Sequence, residues 1–299
     1  NKDELAIAPH FGDDVFRIMP TLPGITASDY SSKFFVRGSG YQDLLVMFDG
    51  QQLYRPFHLK DFDGVFSIIN SDVVSNVDFS SGGYSAQFGN KMGGVFDINS
   101  LDAIDGTSYS LGASFINLKA NGQGSFANGD GQWLFSARRG FLDIFIDSSD
   151  GEGVPSLKFS DVFAKISYQI NQNHQLSFRA LAAIDDMSFS DTYQEYDYTV
   201  NDHISSEYPS WYTWLTLDSS WSSIIDSTTK LAAGQVVEDR VGYSLDPGNL
   251  DVWVDDYRKF DFIDFSQQWQ IRHNKSSFWQ LGLGVLSAQA EYDYHSYRY

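Results

Sequence analysis

The 299-residue sequence contains no cysteine, which excludes disulfides and thiolate metal sites. It is short of positive charge: 20 Lys and Arg stand against 39 Asp and Glu, a formal charge of −19. That balance argues against nucleic acid, whose phosphates need a basic face. No run approaches the ~18 apolar residues of a membrane-crossing helix. No Gly-x-Gly-x-x-Gly or Gly-Lys-Ser/Thr pattern offers a phosphate cradle. Gly82, Gly83, Gly89, Gly93 and Gly94 suit tight turns and close backbone approach instead. The six histidines, His10, His58, His174, His203, His273 and His295, are scattered without metal-ligand spacing. No nucleophile–base arrangement stands out. The expectation is a protein that is not an enzyme and carries no cofactor or metal. The chain begins at Asn1 without a signal peptide and reads as a mature or trimmed piece of something longer.

Aromatics are plentiful, with 17 Tyr and 24 Phe, and with 25 Gly beside only 7 Pro they point to strands. The first hundred residues read as a compact α+β unit. "GDDVFRIMPTLPGI" predicts a short helix capped by Asp13 and stopped by Pro20. Short strands follow at Lys33–Arg37, Leu44–Phe48, Val73–Phe79 and Val95–Asn99, each bounded by turn residues. "KDFDGVFSIIN" has room for another helical turn.

After about Asp105 the period changes to two. In "VFAKISYQI", Val162, Ala164, Ile166, Tyr168 and Ile170 share one face, and Phe163, Lys165, Ser167 and Gln169 share the other. In "QLSFRALAAI", Leu176, Phe178, Ala180, Ala182 and Ile184 oppose Ser177 and Arg179. The same alternation marks "FDFIDFSQQWQIRH" and "SFWQLGLGVLSAQAEY". The connections alternate in length. "NQNH", the "SIIDST" region and "RHNKSS" are tight. "DSSDGEGVPSLKFS", "SDTYQEYDYTVNDHISSEYPS" and "SLDPGNLDVWVDDYRK" are long, acidic and aromatic. Long strands with short turns on one side and long loops on the other describe an outer-membrane β-barrel. A soluble β-sandwich or solenoid also alternates, but needs neither the strand length nor the sorting of loops by side.

The two parts in this order resemble a TonB-dependent outer-membrane receptor, a plug followed by a barrel. "MPTLPGI", "FFVRGSGYQDLLVMFDGQQLY" and "INSDVVSNVDFSSGGYSAQFGNKMGGVFDINS" are similar to plug segments. "WLFSARRGFLDIF" is similar to an early barrel strand. The resemblance implies a plug over residues 1–104 and the N-terminal portion of the barrel over 105–299, about nine strands. A plug needs a far larger barrel, of about 22 strands, so the barrel is incomplete in this chain. It implies a Gram-negative outer-membrane location and import of a nutrient ligand, of siderophore, cobalamin, saccharide or peptide class. TonB with its inner-membrane energising complex would supply the energy. Outer-membrane lipid and lipopolysaccharide would surround the barrel. No TonB box is visible. Ser81-Gly82 stands where many members have Arg-Gly, which puts a plug–barrel charge cluster in question; Arg37 remains, and Lys91 is a substitute. A passive channel and a soluble β-rich binding module are the alternatives.

Two groups of residues follow as candidates. Arg37, Gly38, Asp49, Gly50, Gly89, Gly93 and Gly94 are expected to shape the plug. Tyr54, Arg55, Phe57 and His58 follow the Asp49-Gly50 turn and form a candidate ligand-facing apex, a composition suited to a polar ligand with a flat or anionic part. The competing reading is that the aromatics pack the plug and Arg55 pairs with a barrel carboxylate. Arg138-Arg139 and Arg179 read as salt-bridge partners at lumen or rim. Asp185-Asp186 reads as a solvated acidic pair, with cation bridging to lipopolysaccharide as its functional alternative.

Overall fold

The computed structural model describes residues 14–28, 31–89, 91–102, 106–141, 153–195, 197–246, 251–274 and 277–299. The N-terminal unit starts with a 3-10 helix at Phe16–Thr21. Asp14 holds its start, accepting the Phe16 N–H at 2.8 Å. Asp13 lies outside the described residues. Pro20 sits inside the helix, at its fifth residue, instead of stopping it. The strands that follow are β1 (Ile25–Ala27), β2 (Phe34–Val36), β3 (Leu44–Phe48), β4 (Gln51–Gln52), β5 (Phe57–His58), β6 (Phe66–Ser67), β7 (Val74–Ser80) and β8 (Gly94–Ser100). The central sheet has the order β4-β3-β8-β7, with β3 and β8 parallel. A parallel pair is covered on both faces; β3 is accordingly apolar throughout, and β8 contributes Val95, Phe96 and Ile98 beside the polar Asp97, Asn99 and Ser100. Phe16, Phe34, Phe48, Ile69, Phe96 and Ile98 form the core beneath them. The segment Lys60–Phe62 is a single 3-10 turn.

The second unit is one antiparallel sheet. Its strands are β9 (Thr107–Ala113), β10 (Asn117–Phe126), β11 (Gly131–Gly140), β12 (Ser156–Asn171), β13 (His174–Glu195), β14 (Tyr198–Glu207), β15 (Ser210–Ser222), β16 (Ile225–Leu245), β17 (Val252–Asn274) and β18 (Ser277–Arg298). β14 and β15 share one slot between β13 and β16. The lower part of β13 pairs with β15 and its upper part with β14. The two are a single strand broken at Tyr208-Pro209, where proline has no N–H to give the ladder. The Tyr208 N–H still reaches the Asp185 carbonyl at 3.0 Å. The sheet is open, with β9 and β18 at its edges. A division of the chain near residue 104 falls on residues outside those described.

The sequence alternation becomes an inside-out burial pattern. Ile166 and Phe178, paired across β12 and β13, are 50% and 45% exposed on the convex face. Their neighbours Lys165 and Ser177 are buried on the concave face, where the N-terminal unit sits. Apolar outside and polar inside is the pattern of a wall that meets hydrocarbon. The expected long loop from Ser190 to Ser210 is largely strand: β13 runs to Glu195 and β14 returns from Tyr198. Alternating Tyr, Val and Ile carry the ladder through a segment whose charges suggest a loop. β17 likewise starts at Val252, while Pro247 and its neighbours lie outside the described residues, as do residues 142–152. β13 and β17 thus exceed the ~9–11 residues of a tilted membrane crossing.

An arginine at Phe178 tests this polarity. At the membrane midplane it is expected to cost the intact barrel ~2–4 kcal/mol. The check is denaturant titration of the barrel in bilayers. An unchanged midpoint would remove the lipid-facing assignment.

Candidate functional site

Arg37-Gly38 and Asp49-Gly50 are the same backbone device. All four residues have positive φ, at 48°, 85°, 45° and 76°, as the two central positions of a type I′ turn require. In the first, Val36 and Ser39 exchange backbone hydrogen bonds across the turn. In the second, Phe48 pairs with Gln51. The Asp49 turn is pressed against the wall. Its carboxylate accepts from the Ser100 N–H at 2.7 Å, the Ser100 hydroxyl at 2.6 Å and Arg179 Nε of β13 at 2.8 Å. Trp214 Nε1 of β15 donates to the Asp49 carbonyl, and Lys230 Nζ of β16 to the Gly50 carbonyl. Three strands therefore grip one turn. Phe48, just before it, packs on Phe163 with ring centroids 4.8 Å apart.

The chain then passes through the apex segment, and here the expectation of an exposed cluster needs correction. Phe57 and His58 are buried. Tyr54 is partly buried, its ring 4.8 Å from that of Phe260, while its backbone N–H and carbonyl both engage the Tyr212 hydroxyl. Arg55 is the exposed one of the four, and it pairs with Glu238. Phe57 packs on Phe16 and Tyr41 of its own unit and His58 on Phe159 of β12, and both gain more by packing than by facing water.

His58 lies between two carboxylates of the wall. Nδ1 is 2.5 Å from Asp185 Oδ1 and Nε2 is 3.1 Å from Asp161 Oδ2. Arg138 Nε donates to the same Asp161 oxygen at 2.7 Å, and its Nη2 donates to the Ser67 carbonyl at 2.6 Å. The Leu59 N–H reaches Asp185 Oδ2 at 3.1 Å. A neutral imidazole has one N–H and would leave a lone pair facing a carboxylate, so this site calls for the doubly protonated ring. Burial works against that charge, but Asp185 and the hydrogen bonds to Asp161 and Asp185 outweigh it and hold the His58 pKa above its ordinary value. With His58 and Arg138 positive and both aspartates negative, the cluster is charge-balanced. The Phe159 ring covers it, 4.7 Å from the imidazole and 5.6 Å below the Arg138 guanidinium. A Cβ at Gly140, opposite Phe159 in the ladder, would collide with that ring.

Asp185 is thus not the solvated acid expected from the sequence, although Asp186, one residue on, is exposed. Nothing local marks Asp161, Asp185 and Arg138 as partners. The usable signal is their parity, since all three fall on the polar side of the period-two alternation. Arg179 also faces inward, while Arg139 points outward. A Cβ at Gly93 or Gly94 would crowd Leu44, Ser39 and Phe79, which would have to shift, whereas Gly89 faces open space. Lys91 bonds the Gln42 carbonyl within the same unit, and Arg37 is exposed. Neither joins the plug–wall charge pairs described.

On the side of the long hairpins, above the His58 layer, lies a niche of about 180 Å³. Arg55, Lys60, Asp61, Tyr208, Glu238, Arg240, Asp256 and Arg258 line it. Asp61 accepts from the Tyr208 hydroxyl at 2.7 Å and the Ser206 hydroxyl at 2.5 Å. Arg258 forks onto Asp256 through Nε and Nη2, both at 2.8 Å. The segment carries strain: Arg55, Leu59 and Asp63 all have positive φ, between 50° and 62°. Such conformations cost about 1–3 kcal/mol each, persist where the surroundings over-determine them and concentrate at functional sites.

The raised His58 pKa has a defined pH consequence. Stability from a raised folded-state pKa is full below the unfolded value of ~6.5 and is lost as pH rises through the folded value. Protease resistance of the N-terminal unit in the intact protein is expected to fall as pH rises above that point, and His58→Gln is expected to flatten the trend. An identical slope in the variant would refute the assignment. Asp185→Ala leaves a buried cation unpaired and is expected to cost ~3–5 kcal/mol, read as a lower unfolding midpoint.

Residues 12–95 match the family model of the TonB-dependent receptor plug domain. No curated protein matches the chain in sequence. Solved structures share its fold at low identity. The siderophore receptor PirA from Acinetobacter baumannii aligns with a TM-score of 0.53 at 11% identity, over 97% of this chain and 57% of its own. P. aeruginosa FpvA, solved with pyoverdines, aligns with a TM-score of 0.63 at 14% identity, over 95% and 41%. BauA, the ferric preacinetobactin receptor from Acinetobacter baumannii, aligns with a TM-score of 0.59 at 13% identity, over 92% and 44%. The chain therefore spans about half the length of these receptors. Its N-terminal unit is a TonB-dependent receptor plug, seated against strands that have the fold of part of such a receptor's barrel.

Proposed function

We propose that this chain is the plug and adjoining wall of an outer-membrane receptor that binds a nutrient ligand at the cell surface and imports it with energy delivered through TonB. The observation that carries the reading is the seating of the plug. It fills the concave face of the wall, is held there by buried charge pairs, and turns a partly open niche toward the long hairpins. A passive channel gains nothing from such an inclusion. The work would come from outside the molecule, with a segment on the plug side adding as a strand to a sheet of TonB, a backbone-driven mode of recognition. Outer-membrane lipid and lipopolysaccharide would meet the convex apolar face. PirA is named a siderophore receptor and BauA the ferric preacinetobactin receptor, which makes ferric siderophores the first nutrients to test here.

The ligand-facing role expected of Tyr54–His58 becomes narrower in this reading. Arg55 and Phe57 line the niche, whereas His58 supports it from below. Uptake assays in cells with and without TonB are expected to show transport that depends on both the receptor and TonB. Transport that persists without TonB would favour the passive channel. Cysteines placed at Thr199 and Asn173 should divide by side, with Thr199 labelled on intact cells and Asn173 protected. The opposite labelling would invert the receptor.

A further inference from the structure

Residues 65–70 of the plug are gripped from two sides. On the wall side, Arg138 Nη2 donates to the Ser67 carbonyl at 2.6 Å. Asn70 Nδ2 donates to Ser136 Oγ of β11 at 2.8 Å and to Asn121 Oδ1 of β10 at 3.2 Å. On the other side lies the N-terminal end of the plug. The Asp14 carboxylate is fully buried and accepts from the Ser67 N–H as well as from the Phe16 N–H. Asp14 also forms an antiparallel backbone bridge with Asn70, and Arg17 Nε donates to the Val65 carbonyl at 3.0 Å. The two grips meet at Ser67, whose N–H is on Asp14 and whose carbonyl is on Arg138.

Asp14 differs from the buried acids that bind plug to wall. Asp49, Asp161 and Asp185 each face a cation, in Arg179, Arg138 and His58. Among the described residues Asp14 forms no ion pair, and its carboxylate is held by backbone N–H groups alone. A carboxylate out of water is costly unless its hydrogen bonds are made. Those bonds are charge-assisted, and they weaken steeply once bent or stretched. Drawn out partway, the carboxylate would have neither the two amides nor water. It therefore has two stable positions, seated and withdrawn. An element with two discrete arrangements is what carries coupling between separate sites.

We propose that Asp14 is the latch of the plug: seated, it holds Ser67 where Arg138 and His58 need it, and withdrawn toward the N-terminal side it loosens the buried charge cluster. This rests on the receptor reading, in which work reaches the plug from outside, and adds the residue through which tension from the N-terminal side would act. Such tension meets Asp14 before the 3-10 helix that follows it. Two routes carry the effect onward. β6 pairs with β5, with Phe57 opposite Ser67 and His58 opposite Phe66, so a shift of Ser67 moves the strand that carries the imidazole. The Ser67 carbonyl also orients Arg138, whose Nε holds the Asp161 oxygen that His58 shares. Asp14 is a positioning residue that acts on the cluster through Ser67.

The test is hydrogen–deuterium exchange on the intact receptor in detergent, resolved to single amides. The reporter is the Leu59 N–H, which bonds Asp185 next to His58. Asp14→Asn keeps the shape of the side chain and removes its charge. It is expected to speed Leu59 exchange by about tenfold or more, the scale of one lost hydrogen bond to a charged group, and to leave exchange in the β3–β8 pair unchanged. Coupling acts in both directions, so His58→Gln is expected to speed exchange of the Phe16 and Ser67 amides. Unchanged Leu59 exchange in Asp14→Asn would overturn the proposal. Equal acceleration at Leu59 and throughout the β3–β8 pair would do the same, since it marks a residue that only stabilises the plug as a whole. If Asp14→Asn does not assemble, His58→Gln decides, and unchanged exchange at Phe16 and Ser67 rejects the latch. The expected exchange pattern in a receptor whose uptake is independent of TonB would leave the latch standing and reject the transport mechanism.

Discussion

A wall that is apolar outside must put its polar side chains inside, and there they need partners. Nearly everything in this molecule follows from that requirement. The convex positions of β12 and β13 are free to be Ile166 and Phe178 because the concave ones carry the polar groups. Those polar groups are then satisfied by the plug, through the Asp49 turn and through His58. Taking charges out of water is costly, and the cost is recovered only with good geometry and satisfied hydrogen bonds. The balanced set of His58, Arg138, Asp161 and Asp185 meets both conditions, with each aspartate bonded by two donors. The contacts also fix one register of plug against wall, because a shift by one residue along a strand would turn each of these charges to the outer face.

Much of the architecture was legible in the sequence because period-two alternation is a property of single strands. The faces of Val162–Ile170 and Leu176–Ile184 could be assigned without any tertiary information. The Asp49-Gly50 and Arg37-Gly38 turns were visible for the same reason, since their chemistry is local. The charge cluster was not. Asp161, Asp185 and Arg138 sit on three different strands, and His58 lies more than a hundred residues from either aspartate. Only the packing of neighbouring strands against the plug brings them together. The apex was misjudged in its burial because a run of Tyr, Arg, Phe and His reads alike whether it meets water or a wall. The long acidic loops were misjudged because charge was weighed above alternation: in an extended hairpin with water on both faces, charges are tolerated within strands.

The strained residues of the apex belong to the same account. Arg55, Leu59 and Asp63 are held in left-handed conformations by contacts on every side: the Glu238 pair, the Leu59 N–H on Asp185, and the Lys33 bond to Asp63 at 2.8 Å. Each of these contacts joins residues far apart in the chain. The apex is therefore shaped by its surroundings more than by its own sequence, and a change in what fills the niche changes the balance that maintains it.

The break at Tyr208-Pro209 gives the wall a mechanical property that a continuous strand would lack. One slot of the sheet is occupied by two ladder segments joined end to end, and the joint lies level with Asp185, beside the His58 layer. The lower segment, Ser210–Ser222, pairs with the lower parts of β13 and β16, while the upper one, Tyr198–Glu207, pairs with their upper parts in the long hairpins. A missing donor at the joint makes it the most compliant point along that slot, so bending of the hairpins concentrates there as at a crease. Below the crease the plug's seat keeps its shape, and above it the mouth can change width without unzipping the wall.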